Sequence, residues 1–356
     1  MSVMVRILFL ADSHLGFDLP VRPRIRRRRR GHDFFANYER ALAPALAGCV
    51  DLVVHGGDVL HRSQVPTSLV HQAFEPLKRV ADAGVPVFVV PGNHERARVP
   101  HARFAVHPGI HLFDRPRTFS LEVRGGSVSL AGFPFQRRDV RGRFSDLLAA
   151  TEWGAETADI RLLCVHQCVE GATVGPADFT FRNGRDVIRG RDLPGEFAAV
   201  LSGHIHRHQV LTEDLRGRPI AAPVFYPGSI ERTSIAEKDE AKGYIVMDLE
   251  PAGGGSGGGR IADWSFESLP ARPMLVHEMM GEDPIAVERG IRRIVEAAPR
   301  DAVLRIRVRG RVGERARAVL AAANLRALAP PTMNLDAVLV DDGHWAARGR
   351  RKGRKA

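Results

Sequence analysis

The stretch VMVRILFLADSH, residues 3–14, governs the reading of the 356-residue chain. An apolar, β-branched run meets Asp12 and His14 at its end, and reads as a buried first strand. Outward from it, HDFFANYERALAPALAG (32–48) has helical spacing and stops at Gly48. VDLVVHGGD (50–58) is a second strand, TSLVHQAFEPLKRVADAG (67–84) a second helix, and VPVFVVPGNHE (85–95) a third strand. This β-α-β-α-β rhythm predicts an α/β domain around a mostly parallel sheet with helices on its faces. Ligands of such sheets collect at the carboxyl ends of the strands, and the polar clusters of this chain fall there.

Beyond residue 117 the texture turns β-rich. TFSLEVRGGSVSLAGF (118–133) predicts a hairpin around Gly125 and Gly126, and DIRLLCVHQ, FAAVLSGHIH and KGYIVMDLE predict further strands. The low-complexity run PAGGGSGGG (251–259) lies between two strand-like segments and is read as a hairpin loop. LPARPMLV then opens a smaller α+β module, with a helix at 284–298, a strand at 302–310 and one more helix over RARAVLAAANLRAL (315–328). The expected organisation is a main domain at 1–268, a small module at 269–342 and a basic, disordered tail at 343–356.

The hydrophobic fraction of 44% is ordinary for a globular chain with a sizeable core. Three cysteines, Cys49, Cys164 and Cys168, argue against a disulfide framework and fit a reducing cytoplasm. No apolar run approaches the roughly 18 residues of a membrane span. The N-terminal apolar run lacks a basic region and a cleavage site, so it is not read as a signal peptide. The net charge of +11 is concentrated in two places. Arg22, Arg24, Arg26, Arg27, Arg28, Arg29 and Arg30 form one patch, and the last nine residues, RGRRKGRKA, form the other. Together these charges exceed the whole excess, so the patches sit on a near-neutral body. Concentrated positive charge attracts polyanions, nucleic acid foremost.

Five polar clusters follow strands: Asp12 and His14; Asp58; Asn93 and His94; His166; and His204 with His206. Imidazole, carboxylate and amide oxygen together suit a borderline divalent cation such as Mn²⁺, Zn²⁺ or Fe²⁺. They outnumber the ligands of one ion. Asp12, His14, Asp58 and His206 could hold one cation, and Asp58, Asn93, His166 and His204 a second, with Asp58 bridging. Two ions about 3.5–4 Å apart serve in-line displacement at phosphorus. His204 and His206 alternate along the chain after a glycine, so one short loop could serve both ions. His208 is expected beyond reach, His55 packed within its strand, and the cysteines inert.

D-x-H, GD, GNH-[DE], a lone histidine after a strand, and GH-x-H, in that order, resemble the calcineurin-like metallophosphoesterases. ADSHLGF, VVHGGDVLHRS, VPGNHE, CVHQ, LSGHIH and FYPGSIERTS resemble, within them, the SbcD-type nuclease branch. The resemblance spans roughly residues 3–310. It implies a sandwich of two mixed β-sheets flanked by helices, with a small capping domain that selects DNA shape. It implies the same two ligand sets, most often with manganese, and hydrolysis of DNA phosphodiesters by a hydroxide held between the metals. It assigns His94 to the scissile phosphate and His61 to support of the site. Glu95 stands where the branch usually has Asp. Implied partners are DNA, a coiled-coil ATPase of the SbcC type and a second copy of the chain, at the nucleoid in the cytoplasm. The alternatives are a small-molecule phosphodiesterase, for which a cap and basic patches have no use, and a DNA-binding subunit without chemistry, which needs no metals. Serine/threonine phosphatases carry DRG where this chain has HRS.

Overall fold

The computed structural model describes residues 4–19, 30–95, 107–155, 157–252 and 258–340. Arg22 to Arg29 and the basic tail lie outside them. The described residues up to Ala271 form one unit and those from Arg272 a second.

The first unit begins with β1 (Val5–Leu10), α1 (Gly31–Leu46), β2 (Leu52–His55), α2 (Thr67–Asp82), β3 (Val87–Val89) and β4 (Ile110–Leu112). Alternation decides what each strand residue buries. Leu8 and Leu10 of β1 pack with Phe34, Tyr38 and Leu42 of α1 and with Phe74 and Leu77 of α2. Ile7 and Phe9 point the other way, into the layer between two sheets. The helices bury Phe34, Tyr38, Ala41, Leu42 and Ala45, and Leu69, Val70, Ala73, Phe74 and Leu77, at helical spacing. The sequence reading placed all of these elements except β4.

The second half supplies β5 (Arg117–Val123), β6 (Gly126–Gly132), α3 (Val140–Ala149) and β7 (Ile160–Val165). Four two-residue strands follow: β8 (Cys168–Val169), β9 (Thr173–Val174), β10 (Phe179–Thr180) and β11 (Val187–Ile188). They pair off as two small ladders. Then come β12 (Ala199–Ser202), β13 (Gln209–Glu213), β14 (Pro219–Tyr226), β15 (Gly243–Glu250) and β16 (Arg260–Ser268).

One six-stranded sheet runs β16-β15-β1-β2-β3-β4 and the other β13-β14-β12-β7-β6-β5. The β1–β4 run is parallel, and so is the β6-β7-β12-β14 run. The sheets share a core of Ile7, Phe9, Leu52, Val54, Phe88, Leu130, Leu162 and Leu201. This is a two-sheet sandwich flanked by helices, as the family resemblance implies. β15 and β16 pair antiparallel, so segment 251–259 does join a hairpin. The carboxyl ends of β1, β2, β3, β7 and β12 all lead into the polar clusters.

The second unit has β17 (Met274–Met280), α4 (Pro284–Ala297), β18 (Val303–Arg309), α5 (Glu314–Val319), α6 (Ala322–Leu328) and β19 (Asn334–Leu339). Its three strands are parallel with β18 central. Val287, Ile291 and Val295 of α4 close on Leu304, Ile306 and Val308 of β18. Alternate residues of β18 put Arg305 and Arg309 on the other face, paired with Asp336 and Glu278. Here one expectation is corrected. Residues 315–328 form two short helices and not one, because Ala321 takes an extended backbone (φ −60°, ψ 139°) between them.

Candidate metal centre

The loops leaving β1 and β2 are laced together by backbone hydrogen bonds. Asp12 N donates to Gly57 O and His14 N to Asp58 O, both at 2.9 Å, and Leu15 N to Val59 O at 2.8 Å. Beneath them, fully buried His55 takes the Gly57 N–H on Nδ1 (3.2 Å), and its Nε2 meets Ser13 Oγ (2.9 Å). Four of the predicted ligands sit in the left-handed region, three of them on these laced loops. Asp12 (φ 51°), His14 (φ 44°), Asp58 (φ 53°) and His204 (φ 81°) are four of the eight non-glycine residues found there among the described residues. Such conformations cost roughly 1–2 kcal/mol each and gather at functional sites. Two glycines let the strand ends approach. A Cβ on Gly57 (φ +105°) would lie 2.4 Å from His166 Nδ1, and one on Gly203 would lie 2.2 Å from Gly56 O.

Around this scaffold the seven predicted ligands converge. His14 Nε2 lies 2.9 Å from His206 Nε2, and each is 3.9 Å from Asp12 Oδ1. Asp58 Oδ2 lies 3.9 Å from His14 Nε2 and 3.5 Å from His166 Nε2, so it faces both halves of the cluster. Asn93 Oδ1 sits 3.1 Å from His166 Nε2 and 2.9 Å from His204 Nδ1. His166 donates from Nδ1 to Gly56 O (2.7 Å), which turns Nε2 inward. Asp12, His14 and His206 are close enough to share one ion, as are Asp12, Asp58 and His166.

The donor set fits a pair of cations. Two imidazole Nε2 atoms facing each other at 2.9 Å can share only one proton, and the acceptor pairs left over need an electrophile. The charges are equally pent up. Burial pushes Asp12 up to about 6, partly countered by His166 and His206. Burial also opposes the charge on Asp58, but His166, His14 and His94 outweigh it and hold that carboxyl well below the usual range. His166 is driven up to about 9, because the charge and hydrogen bond of Asp58 overcome its burial. Burial, with His166 next, pushes His204 down to about 3, and burial also holds His14 well below its ordinary value. A divalent cation accepts such lone pairs and takes the place of the protons that the buried imidazoles and carboxylates otherwise share.

His94 lies beside the ligands. Its N–H donates to Asp58 Oδ1 (2.9 Å), its Nδ1 is tied to the His61 carbonyl, and its Nε2 stands 3.8 Å from Asp58 Oδ2. The His94 side chain keeps 32% of its exposure. His61 stacks at a tilt with His94, 5.5 Å between centroids, and meets His14 and Phe17 edge-on. Burial, then the charge of His94, pushes His61 down to about 4. Glu95 is buried and accepts three backbone N–H groups, from Asp58 (2.9 Å), Leu60 (2.9 Å) and Gly92 (2.7 Å). It thereby ties the Asp58 loop to the Asn93 loop, a task a shorter Asp would perform from another distance.

Among the predicted DNA contacts, Arg30 is a correction. It is 5% exposed. Its guanidinium reaches Glu231 (3.4 Å), donates to Arg232 O (2.7 Å) and lies over the Phe17 and Phe34 rings. An arginine committed to a buried carboxylate cannot also grip a phosphate. His208 stacks on Phe266 at 4.1 Å and takes no part in the cluster. Cys164 and Cys168 are buried, which pushes both thiols up, Cys168 to about 12.

Sequence reasoning missed Glu237 and Lys242. Glu237 Oε1 lies 3.2 Å from His206 Nδ1, and the wholly buried Lys242 ammonium donates to Glu237 Oε2 at 2.6 Å. Ser234-x-x-Glu237 has the spacing of a capping box. Lys242 was visible only as the last charge of EKDEAK (237–242) before an apolar strand.

The profile of the calcineurin-like phosphoesterase family matches residues 5–208, more than half of the chain and every residue of the cluster. The chain belongs to this family. As a calcineurin-like phosphoesterase it is similar to curated proteins named DNA double-strand break repair protein Mre11. The one from Haloferax volcanii is 28% identical over 313 residues, 86% of this chain and 62% of that protein. The one from Aeropyrum pernix is 26% identical over 313 residues, 82% and 68% respectively. The one from Thermoplasma acidophilum is 24% identical over 243 residues, 67% and 58%. This calcineurin-like phosphoesterase thus spans about six tenths of the length of the relatives it matches. Among the described residues no helix is long and apolar enough to cross a membrane.

Proposed function

We propose that this phosphoesterase is a DNA nuclease that hydrolyses phosphodiester bonds with two divalent cations, manganese first and zinc or iron as alternatives. The observation that carries the reading is the convergence of seven donors from five strand ends on one pocket, with His94 at its rim. Asp12, His14, Asp58 and His206 would hold one cation, and Asp58, Asn93, His166 and His204 the other. A bound pair would supply Lewis-acid stabilisation of the charge developing on phosphorus and would acidify water. The chain's own residues do the rest. The His61 carbonyl keeps the His94 proton on Nδ1 and aims Nε2 at the pocket, where it steadies the leaving oxygen or hands it a proton when charged. His61 packs against His14 and His94 and fixes their ring planes.

DNA as substrate is supported by the names of the relatives and by the basic run. Phe17, five positions before Arg22 in the sequence, packs on His61 with ring centroids 5.0 Å apart. Arg22, Arg24 and Arg26 to Arg29 would hold flanking phosphates, which position a strand without reading its sequence. The second unit would cap the site, and the basic tail would add non-specific affinity. A coiled-coil ATPase and a second copy of the chain are the expected partners.

The test is cleavage of plasmid and of end-labelled single- and double-stranded DNA with Mn²⁺, beside hydrolysis of bis(p-nitrophenyl) phosphate. Metal-dependent cleavage of DNA, lost with chelator, is the expected result. Turnover of the small diester alone would replace DNA with a small-molecule substrate. Metal-independent binding of DNA with neither hydrolysis would leave a DNA-binding subunit.

A further inference from the structure

His206 is held differently from the other histidines of the centre. His166 Nδ1 meets a backbone carbonyl, and His14 Nδ1 is buried without a hydrogen-bond partner. His206 alone among them turns its outer nitrogen to a carboxylate, Glu237 Oε1 at 3.2 Å. That oxygen also accepts the Thr233 hydroxyl at 2.6 Å. The other Glu237 oxygen accepts Lys242 Nζ at 2.6 Å. Lys242 reaches the backbone of the same histidine as well, donating to His206 O at 2.9 Å and to Ser229 Oγ at 2.9 Å. Ser229 closes the ring by donating its own N–H to His206 O (3.1 Å), and it bridges to Ala11, the residue before Asp12. One lysine therefore grips His206 at both ends, through the carbonyl directly and through the imidazole by way of Glu237.

Such a cluster is poor value as plain stabilisation. Moving an ammonium and a carboxylate out of water costs several kcal/mol per ion, and well-packed apolar groups often do as well. It is well suited to a different task. A histidine can offer Nε2 to a cation only when its proton sits on Nδ1, and a carboxylate at Nδ1 enforces that tautomer, sets the ring plane and raises the ligand's basicity.

We propose that Glu237 and Lys242 are positioning residues that lock the tautomer and orientation of His206, and so set the affinity of the cation held with Asp12 and His14 while leaving its neighbour's unchanged. This rests on the two-cation reading. Locking is local, because neither side chain touches His166, Asn93 or His204. Glu237→Gln keeps the shape and an acceptor but removes the charge, and Lys242→Met removes the clamp. Glu237→Asp retains the charge and should restore part of the effect.

The experiment is Mn²⁺ titration of the whole protein by calorimetry, with stoichiometry and both dissociation constants compared across these variants. Histidine nitrogen NMR on the metal-free proteins reports the His206 tautomer, and circular dichroism confirms folding. The expected result is two cations in every folded variant, with one site weakened 10–100-fold in Glu237→Gln and the other unchanged. His206 should be Nδ1-protonated in the wild type and mixed in the variant. Should Lys242→Met fail to fold, Glu237→Gln carries the test. Unaltered affinities and an unaltered His206 tautomer in Glu237→Gln would overturn the positioning role. A wild type that binds fewer than two cations would instead sink the two-cation reading, and the tautomer comparison would still decide the clamp.

Discussion

At the scale of the residue, chemistry and position separate cleanly. The His94 side chain belongs to neither proposed ligand set, and the bond to Asp58 Oδ1 comes from its backbone N–H, which a glutamine keeps; its imidazole borders the ligands and reaches solvent. His94→Gln should therefore leave cation stoichiometry intact by calorimetry while cutting phosphodiester hydrolysis by about 10²–10⁴-fold, the usual worth of a general acid or base. Arg30 makes the opposite point. Its partner Glu231 is 1% exposed, so Arg30→Gln breaks a buried ion pair and leaves the carboxylate with Arg232 alone, which should cost up to about 3–5 kcal/mol in urea unfolding. DNA affinity should stay as it was, whereas neutralising Arg26 to Arg29 should lower it. The seven proposed ligands stood out in the sequence because each follows an apolar strand and has no packing reason to be polar. Arg30 was not separable from its neighbours, since only the fold shows that one arginine of the run turns inward beside Gly31. Glu237 and Lys242 meet His206 from beyond β13 and β14, 31 and 36 residues along the chain, and no spacing rule connects them.

At the scale of the element, the centre depends on two loops behaving as one. His55 joins them from below, holding Ser13 on one side and the Gly57 N–H on the other. Burial pushes His55 down to about 3, so it works as a neutral hydrogen-bonding wedge. His55→Leu fills the space but orphans both groups, at about 1–3 kcal/mol each. The loops should then drift apart. Weaker Mn²⁺ binding together with a lower melting temperature is the expected pair of changes, and full affinity with lowered stability would mean that the loops hold their register unaided. The β-α-β rhythm was readable from apolar spacing alone. β4 was missed because three residues carry too little pattern, and the break at Ala321 because alanine is a good helix former that tertiary packing overrode.

At the scale of the whole molecule, every ligand lies in the first unit, whose core is complete without the second. A chain ending at Ala271 should melt cooperatively, bind two cations and hydrolyse a small diester, while losing much of its hold on DNA. Loss of cation binding on truncation would place part of the centre's support in the second unit. Cations should also brace the native state. At a free concentration 100 times the dissociation constant, one bound ion adds about 2.7 kcal/mol, so chelator should lower the melting temperature measurably. The shift in texture near residue 270 falls close to the division between the units at Ala271 and Arg272, but it carried nothing about their roles, since a basic surface names no reaction.

The left-handed backbone at Asp12, His14, Asp58 and His204 has an evolutionary consequence. Each position would be more comfortable as glycine, which also sheds a crowded charge or imidazole. Asp58→Gly should thus give a protein that loses cation binding, melts above its metal-free parent and catalyses nothing. A breeding programme rewarding thermal endurance alone would drift toward that hollowed-out protein, and only selection for turnover would keep the tension in place.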